Sequence, residues 1–201
     1  MKSVSEFFEV DLRAGVTLLR LISDDGTNRL TRACVLALTD LIHELAQAPK
    51  PLVITGNDRF FSAGADLNEI AELTGPAAFE FAKLGQTLMN VIEGFPAPVC
   101  AAIHAYCMGG GLDLALSCHM RIAHPRAIFG HRGAALGLIT GWGGTQRMPR
   151  LIGKSRALKM FVAAEKLTAA QALELGLISR VSEHPIADTI RILENAAPAF
   201  A

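Results

Sequence analysis

An excess of either charge is missing from this chain: across 201 residues Lys and Arg number 19, as do Asp and Glu. Phosphate binding usually needs a clustered cationic surplus, so the balance argues against nucleic acid as a partner. It argues equally against a polybasic membrane anchor. Long apolar runs are also missing. The best candidate, AAIHAYCMGGGLDLALSC (residues 101–118), is broken by His104, three glycines and Asp113, and no membrane span is expected. The opening MKSVSEFFEVDLRAG interleaves charges with single apolar residues, and no secretory apolar core follows it. Cysteine is sparse and unpatterned. Cys34, Cys100, Cys107 and Cys118 form no CxxC pair and no metal-ligand spacing, so no metal site is expected. Their apolar neighbours mark them as reduced core thiols, and a cytoplasmic setting is the simplest reading.

What the chain does have is apolar content: 51% hydrophobic residues against 19% charged. That suits one domain with a substantial core. FFEVDLR and VTLLRLIS flank Ala14-Gly15 and read as a hairpin. LTRACVLALTDLIHELAQA has helical spacing with Thr31 as a cap, and Pro49 and Pro51 end it. PLVITG then reads as a buried strand, GPAAFEFAKLGQTLMNVIEGF as a helix, APVCAAIHA as a strand and GGGLDLALSC as a helix. HMRIAHPRAIFG reads as two short strands; beyond Gly143 the pattern is mainly helical, closing with LTAAQALELGL and a short strand in ISRVS. Strands alternating with helices imply an α/β fold of stacked units with crossover helices.

Two glycine-rich bends, SAGADL (residues 62–67) and MGGGLDLAL (residues 108–116), each lie just past the C-terminal end of an expected strand. Open α/β folds place ligands there. Glycine allows a sharp turn and a close backbone approach, and a helix starting at the bend offers free N–H groups. Two such bends could aim two backbone donors at one carbonyl oxygen, an oxyanion hole. The alternative is that the glycines serve only tight strand-to-helix packing. Neither bend fits a dinucleotide fingerprint or a Walker loop.

These residues resemble the crotonase superfamily, the enoyl-CoA hydratases and isomerases. The resemblance rests on FFSAGADL, AYCMGGGLDLALSC, AIFGHRGAALGLITGWGGTQRMPRLIGKSRA and LTAAQALELGLISRV, in family order and spacing, from the first helix to about Val181. It implies an α/β spiral of ββα turns binding acyl-CoA thioesters. Coenzyme A would enter as part of the substrate, with no separate cofactor. It further implies that the backbone N–H groups of Ala65 and Gly110 hold a thioester enolate. Ala63, Gly64, Asp66 and Leu67 would line the coenzyme path, with Gly109 beside the second donor. A homotrimer or hexamer is the usual assembly. Residues 1–182 would form the spiral core and residues 183–201 a short helical tail, a shortened C-terminal region that puts the usual oligomer in question.

The chain departs from the pattern at the acids. Hydratases of this family hold a water between two glutamates. The first position is here Asp113, shorter in reach by about 1.5 Å. The second, three residues after the glycine in FGxxE, is here Gly133. Dienoyl-CoA isomerases also carry aspartate at the first position but keep the second glutamate. Dihydroxynaphthoyl-CoA synthases also carry glycine at the second but lack the first acid. The combination here matches neither. General acid–base groups typically contribute 10²–10⁴-fold each, so hydration is in question while an enoyl-CoA hydratase/isomerase type of reaction is expected. A decarboxylase or hydrolase is the alternative, with Gly133 opening space for a larger acyl group or a carboxylate; a non-catalytic acyl-CoA-binding protein is another.

Asp113 reads either as a proton carrier or as a helix-start carboxylate satisfied by backbone N–H groups. His131 and Arg132 are the nearest titratable replacements for the missing acid, and His131 reads either as a base near neutral pH or as a partly exposed strand-end histidine. His104 and His119 are expected in the core or an interface. Trp142 could wall the acyl pocket or pack beneath the following helix. Arg29 could contact a CoA phosphate or form a surface salt bridge.

Overall fold

A computed structural model describes residues 3–196. Strand β1 (Ser3–Val4) pairs antiparallel with β2 (Phe8–Arg13), which turns back into β3 (Val16–Leu21). Ala14 and Gly15, both at positive φ (50° and 80°), make the two-residue turn, the arrangement that matches strand twist. After β4 (Arg29–Leu30), helix α1 (Arg32–Leu45) starts where the Thr31 hydroxyl accepts the Cys34 N–H at 3.1 Å.

From there the chain repeats one plan three times. A strand joins a large sheet, a second strand joins a small one, and helix follows. The first pass is β5 (Leu52–Thr55), β6 (Phe60–Ser62), β7 (Gly64–Ala65), α2 (Leu67–Ala71) and α3 (Gly75–Glu93). The second is β8 (Val99–Ile103), β9 (Tyr106–Met108) and α4 (Gly110–Ser117). The third is β10 (Met120–Ala123), β11 (Ile128–Gly130), a 3₁₀ turn (Gly133–Leu136), α5 (Gly144–Ile152) and α6 (Lys154–Ala163). The chain continues through β12 (Lys166–Thr168), α7 (Ala169–Glu174), β13 (Arg180–Val181) and α8 (Pro185–Ala196).

The large sheet has the order β1-β2-β3-β5-β8-β10-β13 and is parallel from β3 onward. The small sheet runs β12-β11-β9-β6, and β4 and β7 form a separate parallel pair. This is the α/β spiral of ββα turns that the sequence implies. One core cluster lies between the large sheet and α1, α3 and α4, with Leu38, Ile54, Phe61, Leu88, Met89 and Leu112 among its members. A smaller one, including Val16, Val53, Cys100, Ile122 and Leu193, lies under α8 on the other face. Each fully buried aliphatic side chain stabilises by about 1.5–3 kcal/mol. Residues 197–201 of the expected tail lie outside the described residues.

Six of the two- and three-residue strands have no counterpart in the sequence reading: β1, β4, β6, β7, β9 and β12. They are too short to show a period of two, and β6 and β7 fall where only turns and a loop are expected. All four cysteines are free and buried. His104 is half-buried and His119 exposed, so neither sits in the core. His119 instead uses Nδ1 to accept the Val99 N–H at 2.9 Å. Among the described residues, no helix is long and apolar enough to cross a membrane, and no group of three His, Cys, Asp or Glu is placed to hold a metal.

Candidate active site

Helix α4 is mostly apolar, and residues 111–117 are all buried. It runs through the core and presents its N-terminus to the bend at β7. Each glycine of the triplet answers a different demand. Gly109 adopts φ 52°, ψ −124°, a backbone conformation side chains rarely tolerate. A methyl on Gly111 would lie 2.6 Å from Ser62 Cβ. A methyl on Gly110 would lie 2.6 Å from the Trp142 ring and 3.2 Å from the Ala65 peptide nitrogen. From the other bend, Gly64 turns at φ 98°, and a methyl there would fall 2.9 Å from the Gly110 nitrogen. The two bends, some forty residues apart in sequence, therefore meet. Ala65 and Gly110 are both half-buried rather than sealed.

The β4–β7 pairing sets Leu30 opposite Ala65, and the Ala63 N–H donates to Thr27 O at 2.9 Å. Asp66 caps α2, accepting from Asn68 N at 2.8 Å and Glu69 N at 3.3 Å. Leu67 is exposed. Arg29 pairs with Asp25 at 3.0 Å and lies 3.6 Å from Asp66, the salt-bridge reading. Trp142 is buried between α3 and α4. Its indole N–H donates to Phe81 O at 3.1 Å, and its ring fills space left by Gly85 and Gly110. It packs and borders the bend at once.

One turn into α4 stands Asp113, with no exposed surface. Among the described residues no backbone N–H donates to this carboxylate, in contrast to the helix-start reading. Its Oδ2 accepts from the Thr140 hydroxyl, and its Oδ1 lies 3.2 Å from His131 Nε2. That approach is close enough for an ion pair, yet its angles are wrong for a hydrogen bond. Both atoms are buried without a hydrogen-bond partner. His131 is 4% exposed, which corrects the expectation of a partly exposed strand-end side chain. It ends up inside because β11 delivers it between α4 and α6, where the Phe161 ring backs the imidazole at 5.3 Å between centroids. Arg132, the next residue, is exposed.

The space beside Gly133 is filled by the following turn. A Cβ there would meet the Leu138 carbonyl oxygen at 2.7 Å, and Leu138 N donates back to Gly133 O at 2.8 Å. The sequence reading missed three contributors. Thr140 reaches Asp113 from the end of an exposed loop. Gly144 lets the start of α5 close on the pair, since a side chain there would collide with Asp113 Oδ1 and lie 3.1 Å from His131 Nε2. Arg121 is buried and caps the far end of α4, donating to Cys118 O and Leu177 O at 2.7 Å each and to Ala115 O at 3.2 Å. An apolar cavity of about 570 Å³ adjoins the pair through Phe161 and Thr145, with Leu138, Ile139, Leu158 and Val162 among its walls.

A spiral of ββα turns with two glycine bends meeting at a helix N-terminus, and a buried carboxylate one turn in, defines an α/β scaffold of the crotonase kind. The enoyl-CoA hydratase/isomerase profile matches residues 11–193, and the chain belongs to that family. A probable enoyl-CoA hydratase of Bacillus subtilis (strain 168) is 46% identical over 131 residues, covering 65% of this chain and 51% of that protein. The chain thus spans about half the length of that curated relative. Pseudomonas aeruginosa DspI superposes with a TM-score of 0.92 at 32% identity, covering 96% of this chain and 81% of that one. The enoyl-CoA hydratase of Bacillus anthracis superposes at 0.89 and 32% identity, covering 94% and 76%.

Proposed function

We propose that the chain acts on acyl-CoA thioesters, holding the enolate oxygen with the backbone N–H groups of Ala65 and Gly110 while Asp113 moves protons. The observation that carries this reading is the close approach of Gly110 to the Ala65 peptide nitrogen and of Gly64 to the Gly110 nitrogen, beside Trp142 and with Asp113 in the first turn of the same helix. Backbone donors at a helix start bring little reorganisation as charge develops, which is why such holes are often the largest catalytic contribution. The family membership supplies the substrate class. Hydration and isomerisation both pass through the enolate, so the hole serves either. Ala63, Gly64, Asp66 and Leu67 would follow the coenzyme, with Asp66 and Arg29 holding the bend rather than the phosphates. A homotrimer or hexamer belongs to the same reading; the exposed Leu136, Leu138, Ile139, Leu158 and Val162 support an apolar contact, and sedimentation would count the subunits.

The test is direct. Calorimetry with a short acyl-CoA should show saturable binding. Loss of the conjugated-thioester absorbance on incubation with a trans-2-enoyl-CoA should report hydration. Absence of binding by any CoA ester would end the proposal.

A further inference from the structure

Among the described residues, two buried side-chain nitrogen or oxygen atoms lack a hydrogen-bond partner, and they face each other: Asp113 Oδ1 and His131 Nε2. An unmade hydrogen bond in a buried site costs about 1–3 kcal/mol per group, so folds rarely leave two together. The rest of the pair is held firmly. Thr140 ties the other Asp113 oxygen, Phe161 backs the imidazole, and Gly144 closes one side. The two free atoms are 3.2 Å apart and do not bond to each other, so a third polar atom admitted between them would satisfy both.

We propose that His131 is the second acid–base group of this site, supplying from β11 what Gly133 lacks. The proposal rests on the acyl-CoA reading above. Water is the third atom. As its oxygen bonds to C3 of a 2-enoyl thioester, Asp113 takes one water proton, and the double-bond electrons move to C2 and the thioester oxygen. Ala65 and Gly110 hold that enolate. C2 then takes a proton from the protonated imidazole of His131. The next water admitted between them relays the proton from Asp113 to His131 and restores the pair. The sum is one water and one enoyl thioester giving one 3-hydroxyacyl thioester, with no change of oxidation state in the protein. Read backwards, His131 takes the C2 proton and Asp113 returns the hydroxyl as water.

This division of labour separates two variants. In deuterated water, wild type should exchange the C2 protons of butyryl-CoA, a saturated ester that has no water to add or lose. His131→Gln should lower that exchange at least about 100-fold while its dissociation constant for butyryl-CoA stays within about 3-fold. Asp113→Asn should keep the exchange while losing hydration of crotonyl-CoA. Exchange at the wild-type rate in His131→Gln overturns the assignment, as does loss of exchange confined to Asp113→Asn. Should both variants fail to fold, the wild type decides: the Nε2 resonance of ¹⁵N-labelled His131, assigned by backbone connectivity, should shift on saturation with 3-hydroxybutyryl-CoA, and an unmoved resonance overturns the proposal. A wild type that binds no CoA ester brings down the acyl-CoA reading and this proposal with it. A wild type that binds and exchanges, with His131→Gln doing the same, brings down only the role of His131.

Discussion

Helix α4 is eight residues long, and its two ends are built on opposite terms. At the C-terminal end the Arg121 guanidinium takes up Ala115 O and Cys118 O and ties in Leu177 O beyond them. A cation there also opposes the negative end of the helix dipole. Burial lowers the pKa of Arg121 from its ordinary value, yet among the described residues no buried side-chain nitrogen or oxygen at that end lacks a partner. At the N-terminal end Ala65 and Gly110 are only half-buried, and Asp113 Oδ1 and His131 Nε2 lack hydrogen-bond partners. A satisfied end resists displacement; an unsatisfied one, held by the first, is ready for a ligand.

The largest effect should come from the satisfied end. Arg121→Met leaves three buried carbonyls without their donor and should lower unfolding stability by about 3–5 kcal/mol, read from the urea midpoint. A loss below about 1 kcal/mol would erase the contrast between the ends. Asp113→Asn tests the other end: turnover of an enoyl-CoA should fall about 10²–10⁴-fold while the urea midpoint holds or rises, because a buried carboxylate is costly to keep. Turnover preserved in that variant would leave α4 with no working end. Gly110→Ala should cost about 1–3 kcal/mol through its collision with Trp142 and reduce turnover besides; intact turnover would show that the Ala65–Gly110 meeting point is packing alone.

The effect that is smallest at neutral pH concerns two buried thiols. Burial pushes the Cys34 thiol from an ordinary 9.0 up to about 12, with Glu69 adding to the rise, and Cys100 up to about 11 despite help from Thr189. Raised pKa values favour the neutral folded form. Their stabilising contribution is therefore complete below pH 9 and drains away as pH climbs through the folded values. Stability should fall from about pH 9 upward, and Cys34→Ala should shallow that slope by as much as about 1.4 kcal/mol per pH unit up to pH 12. An identical slope would place the Cys34 thiol in water.

The α/β spiral was legible because its longer elements announce themselves: Thr31 before α1, Pro96 and Pro98 just ahead of β8, the glycine triplet opening α4. Asp113, Ala65 and Gly110 could be picked out by their places in the bends. His131 could be named as a nearby titratable group, but its partner could not, since residues 113 and 131 belong to different turns of the spiral and no spacing rule connects them. Thr140 and Gly144 sat in a stretch with no periodicity, ITGWGGTQR, where only the folded loop shows which side chain reaches Asp113. Arg147 was equally silent. It is buried, with Glu93 Oε2 at 2.6 Å and Asn90 Oδ1 at 2.8 Å, a clamp between α5 and α3 that one charged letter does not reveal.

The Leu138 carbonyl against Gly133 has a consequence for the history such a chain can have. Writing glutamate back at position 133 does not rebuild a two-carboxylate centre, because the peptide of Leu138 already stands where the new side chain must begin. The 3₁₀ turn would have to be re-laid before the acid could return.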